Sequence, residues 1–242
     1  MDRREYTRKS AHWDRPAISA SATKWPSAKS SAAPDTTGPT VASQPAATTR
    51  VVEIVSVQRD LGLLGQSVPR TGSWDAATRR ALAWITTKYG WAYDGSVTPE
   101  LAKRIHAYAV RAEQGPLQCR GAAALLLCVD ERLLLLLVLE RGRITQRLDA
   151  RLSGDPRTDR TGSFRVYRTV AQQRSAEFGT VMYDAVFFDA GRAIHFSPSF
   201  ARLGYSGASR GCVNIRDRAA MDALFARVGR GVRVEVVPPT GR

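Results

Sequence analysis

Two short segments near the C-terminus indicate the fold and the chemistry of this chain: Ile194-His195-Phe196 and Ser209-Arg210-Gly211-Cys212-Val213-Asn214. The histidine precedes the cysteine by 17 residues. A cysteine is nucleophilic as its thiolate, and a nearby imidazole is the usual group that takes the proton. Gly211 lets the backbone turn tightly, so that the N–H groups of Gly211 and Cys212 can face a developing oxyanion. The two segments therefore predict an acyl-transfer site with Cys212 as nucleophile and His195 as base.

The residues around these segments predict how the pair comes together. Val186-Phe187-Phe188 and Ala193-Ile194-His195 are separated by Asp189-Ala190-Gly191-Arg192, which predicts a hairpin with His195 at a strand end. Residues 197–208 hold a proline, two glycines and several serines, and this composition is typical of a loop. A backbone carbonyl near Phe196 is expected to orient the imidazole. No cofactor is expected, and no zinc site either, because one Cys and one His do not supply the three or four ligands that zinc needs.

The pattern H-x13-S-x-G-C-V-N resembles the signature of the L,D-transpeptidase (YkuD-type) family. The resemblance covers residues 115–238 and includes Gly162 and Phe164 of a segment similar to the family's T-P-x-G-x-F. Where the family has a histidine before the glycine, this chain has Arg210. A cation at that position can lower the pKa of the cysteine as well as an imidazolium would.

The resemblance implies a function and a set of site residues. It implies an enzyme that cuts a peptidoglycan tetrapeptide stem before its D-Ala, holds the acyl group as a thioester and forms 3–3 cross-links. Cys212 and His195 are the implied catalytic residues, and Ser209, Arg210 and Gly211 form the active-site loop and oxyanion site. Four residues are expected to contact substrate: Tyr183, Phe196, Tyr205 and Asn214. Two alternatives stay open, an L,D-carboxypeptidase and a catalytically degenerate wall-binding protein.

A helical segment precedes this part of the chain. Apolar residues recur at helical spacing from Val51 to Leu64, and Thr98-Pro99-Glu100 predicts a helix start with threonine as N-cap. Residues 51–110 resemble the small peptidoglycan-binding domain of wall enzymes, through V-x-x-Q-x-x-L-x-x-L from Val55 and G-x-W-x-x-x-T from Gly72. The alternative is a three-helix packing module that binds no ligand.

The remaining residues predict β structure. Ala122–Val129 and Leu133–Leu139 are apolar runs split by three charged residues, and neither reaches the roughly 20 residues that span a bilayer. We therefore expect buried strands and no transmembrane helix. Phe164–Val170 alternates apolar and polar residues as a half-buried strand does, and Asp217 predicts a helix after the nucleophile. The predicted fold is multidomain, α and mainly-β: three helices, then a YkuD-like β-sandwich catalytic domain.

Composition and charge limit the partners. The chain has 242 residues, 43% of them hydrophobic, and a net charge of +14. A basic surface suits nucleic acid, an anionic membrane or the anionic bacterial wall, although an ordinary solvated basic surface carries the same charge. The sequence has no groove-reading motif, so no nucleic-acid partner is expected. The resemblance implies peptidoglycan stem peptides and glycan as partners, and the oligomeric state stays open.

The first 50 residues and the cysteines bear on localisation. Residues 1–50 are rich in Ser, Ala, Thr and Pro, which predicts a disordered tail or linker. No secretory signal is visible in them, whereas the resemblance implies an extracytoplasmic enzyme in the cell wall or periplasm. A start inside a longer chain, a non-standard export route and delivery by a phage particle would each reconcile the missing signal with an extracytoplasmic enzyme.

Cys119 and Cys128 are either buried free thiols, the more common state, or a disulfide.

Overall fold

The structure, a computed structural model, describes residues 46–155, 158–175 and 179–239, with side chains from Glu53 onward. The predicted disordered tail falls largely on residues 1–45, which lie outside the described residues. These described residues belong to one compact unit. Within its described part, no helix has both the length and the apolar character that a membrane span requires.

Three helices come first: α1 (Ala46–Leu63), α2 (Ala76–Tyr89) and α3 (Pro99–Gln114). α1 begins ahead of the predicted boundary at residue 51. The predicted start of α3 is confirmed, because the Thr98 hydroxyl accepts a hydrogen bond from the Leu101 N–H and a proline stands in the first turn. α2 begins in the same way, with the Asp75 carboxylate accepting from the Thr78 N–H.

A buried glutamine explains one polar position of the helical motif. The Gln58 amide nitrogen donates to the Thr78 hydroxyl at 2.9 Å and to the Ser73 carbonyl at 3.0 Å. Its amide oxygen accepts from the Gly72 N–H at 3.0 Å. Because a buried amide is costly unless its hydrogen bonds are made, these contacts fix the turn between α1 and α2.

Nine strands form one mixed sheet in the order β4-β9-β1-β2-β3-β8-β7-β6-β5. The pairs β1–β9 and β7–β8 are parallel, and the other pairs are antiparallel. The strands are β1 (Leu126–Asp130), β2 (Leu135–Glu140), β3 (Arg143–Arg151), β4 (Gly162–Arg165), β5 (Arg168–Arg174), β6 (Val181–Asp189), β7 (Arg192–Phe196), β8 (Val213–Ile215) and β9 (Arg233–Val237). The predicted strands in the apolar runs and the β6–β7 hairpin are confirmed.

The predicted single strand Phe164–Val170 is wrong, because the alternating stretch belongs to two strands. β4 pairs with β9 at one edge of the sheet, and β5 pairs with β6 at the other. Between them the Val166 N–H donates to the Val232 carbonyl, and the Tyr167 N–H donates to the Phe187 carbonyl. The chain thus changes partners within two residues and joins the two edges of the curled sheet.

The curl encloses an inner cluster, to which both halves of the sheet contribute apolar side chains. Leu127 of β1 and Leu136 of β2 share this cluster with Val186 of β6 and Val213 of β8. The predicted helix after the nucleophile is α5 (Arg218–Phe225), which buries Met221 and other residues on the same cluster. The sandwich-like arrangement of the predicted fold class is confirmed in this form.

A second cluster joins α1, α2 and α3 to the outer face of β1 and β2. It includes Leu61, Leu82 and Ile105 from the helices and Leu135 and Leu137 from β2. Both faces of β1 and β2 are therefore buried, which accounts for their nearly continuous apolar sequence. The predicted division into domains 51–110 and 115–238 stays a prediction, and the two sides share one core.

The structure also decides between the two states of Cys119 and Cys128. Cys119, in a short 3-10 helix (Leu117–Cys119), forms a disulfide with Cys128 of β1. This bond links the segment after α3 to β1, an interior strand of the sheet. The more common state expected for such cysteines, two buried free thiols, is not the one observed.

Candidate active site

Three neighbouring strands bring the predicted catalytic residues to the outer face of the sheet. His195 of β7 lies opposite Asn214 of β8, and Arg151 of β3 lies opposite the same Asn214. Because side chains alternate along a strand, Cys212 lies on the same face as Asn214. Cys212 immediately precedes β8, and extended geometry places its Cα atom about 8 Å from that of His195 on the neighbouring strand. Their side chains therefore reach the same space.

His195 is held in the form that accepts a proton. The residue is 6% exposed, and its Nδ1 lies 2.8 Å from the Phe196 carbonyl oxygen. Since a carbonyl can only accept, Nδ1 carries the hydrogen and Nε2 keeps its lone pair. Burial lowers the pKa of His195 and the Arg151 charge lowers it further, against the opposing effects of the Phe196 carbonyl and Asn214. The imidazole is therefore neutral at neutral pH.

Cys212 is half-buried and, within the described part of the chain, is the free cysteine. It packs against a small outer cluster that includes Ala193 and Phe187. Burial raises the pKa of the Cys212 thiol above its ordinary value, whereas the Ala193 N–H and the Arg192 charge lower it. The resting site thus pairs a neutral thiol with a neutral imidazole, an arrangement suited to general-base catalysis.

The loop before the nucleophile is shaped by two residues that the sequence had indicated. Ser209 is 6% exposed, and its hydroxyl donates a short hydrogen bond to the Cys212 carbonyl. Gly211 has a φ of +100°, a conformation that residues with a side chain rarely adopt. A Cβ at Gly211 would make only ordinary contact with Thr158, at 3.4 Å, so the backbone conformation sets the requirement. The tight turn therefore requires glycine here.

A cavity of about 600 Å³ opens on this face of the sheet. Its lining contains most of the predicted site residues: Cys212, His195, Ser209, Arg210, Tyr183 and Asn214. Two further arginines, Arg151 and Arg192, also line it, and the described lining includes no Asp or Glu. An arginine-rich lining favours a ligand that carries a negative charge, although the Arg192 guanidinium itself packs on the Phe188 ring of the inner cluster.

Sequence reasoning missed both of these buried arginines. Arg151 is 3% exposed, and its guanidinium donates to the Gly204 carbonyl at 2.7 Å. Arg192 is 8% exposed and donates through Nε to the Gly211 carbonyl at 2.8 Å. Arg151 alternates with the apolar residues Ala150 and Leu152, but this pattern does not tell a buried arginine from a solvated one, and Arg192 follows a turn with no such pattern.

Two predicted substrate-contacting residues lie elsewhere, and Tyr183, although it lines the cavity, lies opposite one of them, Phe196, with ring centroids 6.2 Å apart. The Phe196 side chain packs against the inner cluster, on the opposite face of β7 from His195, and only its carbonyl serves the site. Tyr205 points toward Asp149, to which its hydroxyl donates at 2.7 Å. The predicted pocket roles of these two side chains find no support in their placement, because strand alternation and the loop path direct them away. Arg210 is exposed, unlike Arg192.

The comparisons with known proteins agree with this geometry. No protein-family model and no curated protein sequence matches the chain. The structure is similar to an L,D-transpeptidase from Xylanimonas cellulosilytica, with 26% identity and a TM-score of 0.54 over 76% of this chain and 93% of that one. It also shares its fold with an L,D-transpeptidase (Yku) from Stackebrandtia nassauensis, with 18% identity and a TM-score of 0.52 over 77% and 92% of the two chains. The resemblance read from the sequence is confirmed at the level of fold.

Proposed function

We propose that this chain, which has the L,D-transpeptidase fold, is a cysteine-dependent L,D-transpeptidase of peptidoglycan stem peptides. The observation that carries the proposal is the shared cavity of Cys212 and His195, with His195 Nδ1 bonded to the Phe196 carbonyl. That bond leaves Nε2 as the ring nitrogen that can accept the proton of Cys212.

The proposed reaction has two acyl-transfer steps. His195 Nε2 takes the proton from Cys212, and the sulfur attacks the carbonyl carbon of the donor's third stem residue. Backbone N–H groups around Arg210, Gly211 and Cys212 stabilise the oxyanion. The C–N bond to D-Ala breaks, the leaving amine takes the proton from His195, and a thioester remains. The amino group of a second stem then attacks the thioester, the thiol regains its proton, and a 3–3 cross-link is formed.

The charge of the cavity supports a stem peptide as the donor. The D-Ala that leaves carries a free carboxylate, and the cavity lining holds Arg151, Arg192 and Arg210 without a described acidic residue. Arginine binds carboxylates through paired N–H donors. A donor amidated at its terminal carboxylate is therefore expected to react more slowly than the free acid.

The second part of the proposal is that the helical segment binds the glycan of peptidoglycan. A groove of about 790 Å³ is lined by the aromatic residue Trp74, by Lys103 and by the Asp60–His106 pair, whose side chains lie 2.9 Å apart. A ring face beside hydrogen-bonding groups suits a sugar. Retention on insoluble peptidoglycan, weakened by Trp74→Ala and unaffected by Cys212→Ala, is the expected result. This activity implies a site of action in the cell wall or periplasm.

Mass spectrometry of the full chain incubated with disaccharide-tetrapeptide tests the catalytic proposal. The expected product is a dimer that has lost one D-Ala, together with a thioester adduct on Cys212. Cys212→Ala and the near-isosteric Cys212→Ser serve as matched variants, and both are expected to give neither species. Loss of D-Ala without a dimer would establish the carboxypeptidase alternative. No product and no adduct with the unmodified chain would overturn the enzyme proposal in favour of a wall-binding protein.

A further inference from the structure

Arg192 is bound at several points beside the turn that carries the nucleophile. Its Nε donates to the Gly211 carbonyl at 2.8 Å, and its Nη1 donates to the Arg160 carbonyl at 2.9 Å. Nη1 also lies 3.5 Å from a carboxylate oxygen of Asp189. The guanidinium packs on the Phe188 ring, 5.2 Å from its centroid. These contacts hold the side chain in one orientation.

The bond to the Gly211 carbonyl controls the peptide unit next to the nucleophile. In a trans peptide the C=O and the following N–H point in opposite directions. A donor that fixes the Gly211 carbonyl therefore also fixes the direction of the Cys212 N–H. Gly211 is the residue with a φ of +100°, and a glycine is otherwise free to rotate. Arg192 thus removes a freedom that the turn itself introduces.

Arg192 also contributes positive charge near the sulfur. Its positive charge lowers the pKa of the Cys212 thiol, against the effect of burial. The other charged or titratable groups of the cavity lining are Arg151 from β3, Tyr183 from β6, His195 from β7 and Arg210 from the loop. Asp189, which also binds Arg160 at 2.6 Å, offsets part of the Arg192 charge from behind.

We propose that Arg192 is a positioning residue: it orients the Gly211–Cys212 peptide and supplies the fixed positive charge against which the Cys212 sulfur ionises. The role that the sequence suggested for Arg210 thereby passes to a residue on β7. The inference rests on the proposed role of Cys212 as nucleophile. It concerns the reactivity of the thiol and needs no knowledge of the substrate.

The test measures the rate at which iodoacetamide alkylates Cys212 between pH 6 and pH 11. Mass spectrometry of the full chain, kept without reductant, monitors the reaction. Arg192→Gln is expected to move the midpoint of the pH profile upward by about one unit, which makes alkylation below the midpoint about tenfold slower. Arg192→Lys keeps the charge but not the planar fork, so a smaller shift is expected. The matched control is Arg202→Gln, the loss of an exposed arginine on the short helix α4 (Pro198–Leu203), and it should leave the profile unchanged.

Two results would overturn the proposal. One is a shift for Arg192→Gln no larger than that for Arg202→Gln, and the other is a larger shift for Arg210→Gln. If Arg192→Gln does not fold, Asp189→Asn carries the test, because it removes the opposing charge while the Gly211 and Arg160 carbonyls still bind the guanidinium. That variant should lower the midpoint, and an unchanged midpoint would refute the proposal. A shifted midpoint with no transpeptidase product would reject the proposed function and leave this inference standing.

Discussion

The buried carboxylate of Asp149 gives the sharpest prediction about stability. It is 3% exposed and accepts hydrogen bonds from Lys88 Nζ at 2.7 Å, Tyr205 Oη at 2.7 Å, Arg216 Nε at 2.8 Å and the Trp84 indole. Lys88 and Trp84 come from α2, whereas Asp149 lies on β3. The cluster therefore joins the helices to the sheet, two residues from Arg151 at the edge of the candidate site.

Asp149→Asn keeps the volume of the side chain and removes its charge. The Lys88 side chain is 0% exposed and would stay buried without its counter-ion. Burial already lowers the pKa of Lys88, and the Asp149 charge is the main effect that opposes this. Removing one partner of a buried ion pair typically costs about 3–5 kcal/mol. Against a total stability of roughly 5–15 kcal/mol, the loss is large.

Urea unfolding, followed by circular dichroism and tryptophan fluorescence at pH 7, measures this loss. The matched control is Glu140→Gln, which breaks an ion pair with Arg227 whose side chains are both 40% exposed. An exposed pair contributes about 1 kcal/mol or less. If Asp149→Asn costs no more than this control, the reasoning about the buried cluster is refuted. The double variant Lys88→Met with Asp149→Asn should recover part of the loss.

Three further predictions concern the site and the disulfide. Gly211→Ala should cost about 1–2 kcal/mol in thermal unfolding and most of the activity, because a side chain is strained at a φ of +100°; an unchanged melting temperature would contradict this. Burial holds the pKa of His195 below its ordinary value of 6.5, so its contribution to stability is full above pH 6.5 and is lost as the pH falls through the pKa of the folded state, where activity also declines. Urea unfolding and turnover measured between pH 4 and pH 8 should show both losses. His195→Gln should abolish this change of stability with pH. Replacing both Cys119 and Cys128, which are 9 residues apart, by serine should cost about 2–3 kcal/mol, matched by the effect of reductant on the unmodified chain.

The parts of the fold that depend on local sequence were predictable. Thr98-Pro99 marks a helix start whatever the rest of the chain does, because capping and the fixed φ of proline act within one turn. The apolar runs of β1 and β2 indicated buried strands because their length rules out a membrane span. The β6–β7 hairpin followed from its turn residues in the same way.

The parts that depend on pairing were not predictable. The stretch 164–170 alternates uniformly, yet β4 pairs with β9 and β5 pairs with β6. Alternation shows which face a side chain takes and carries no information about the partner strand. The Cys119–Cys128 bond depends in the same way on where the segment after α3 meets β1.

For the candidate site, the sequence by itself determined the residue types: a cysteine after glycine, an upstream histidine, and a serine and an asparagine in the same segments. These residue types are predictable because acyl transfer by a cysteine needs particular side chains close together in the sequence. Only the tertiary structure decided which charges act on them. Arg210 is adjacent in sequence but exposed, whereas Arg192 and Arg151 are buried beside the cavity. The reason is physical, since the strength of a charge depends on distance and on the exclusion of water, and both are set by strand pairing far along the chain.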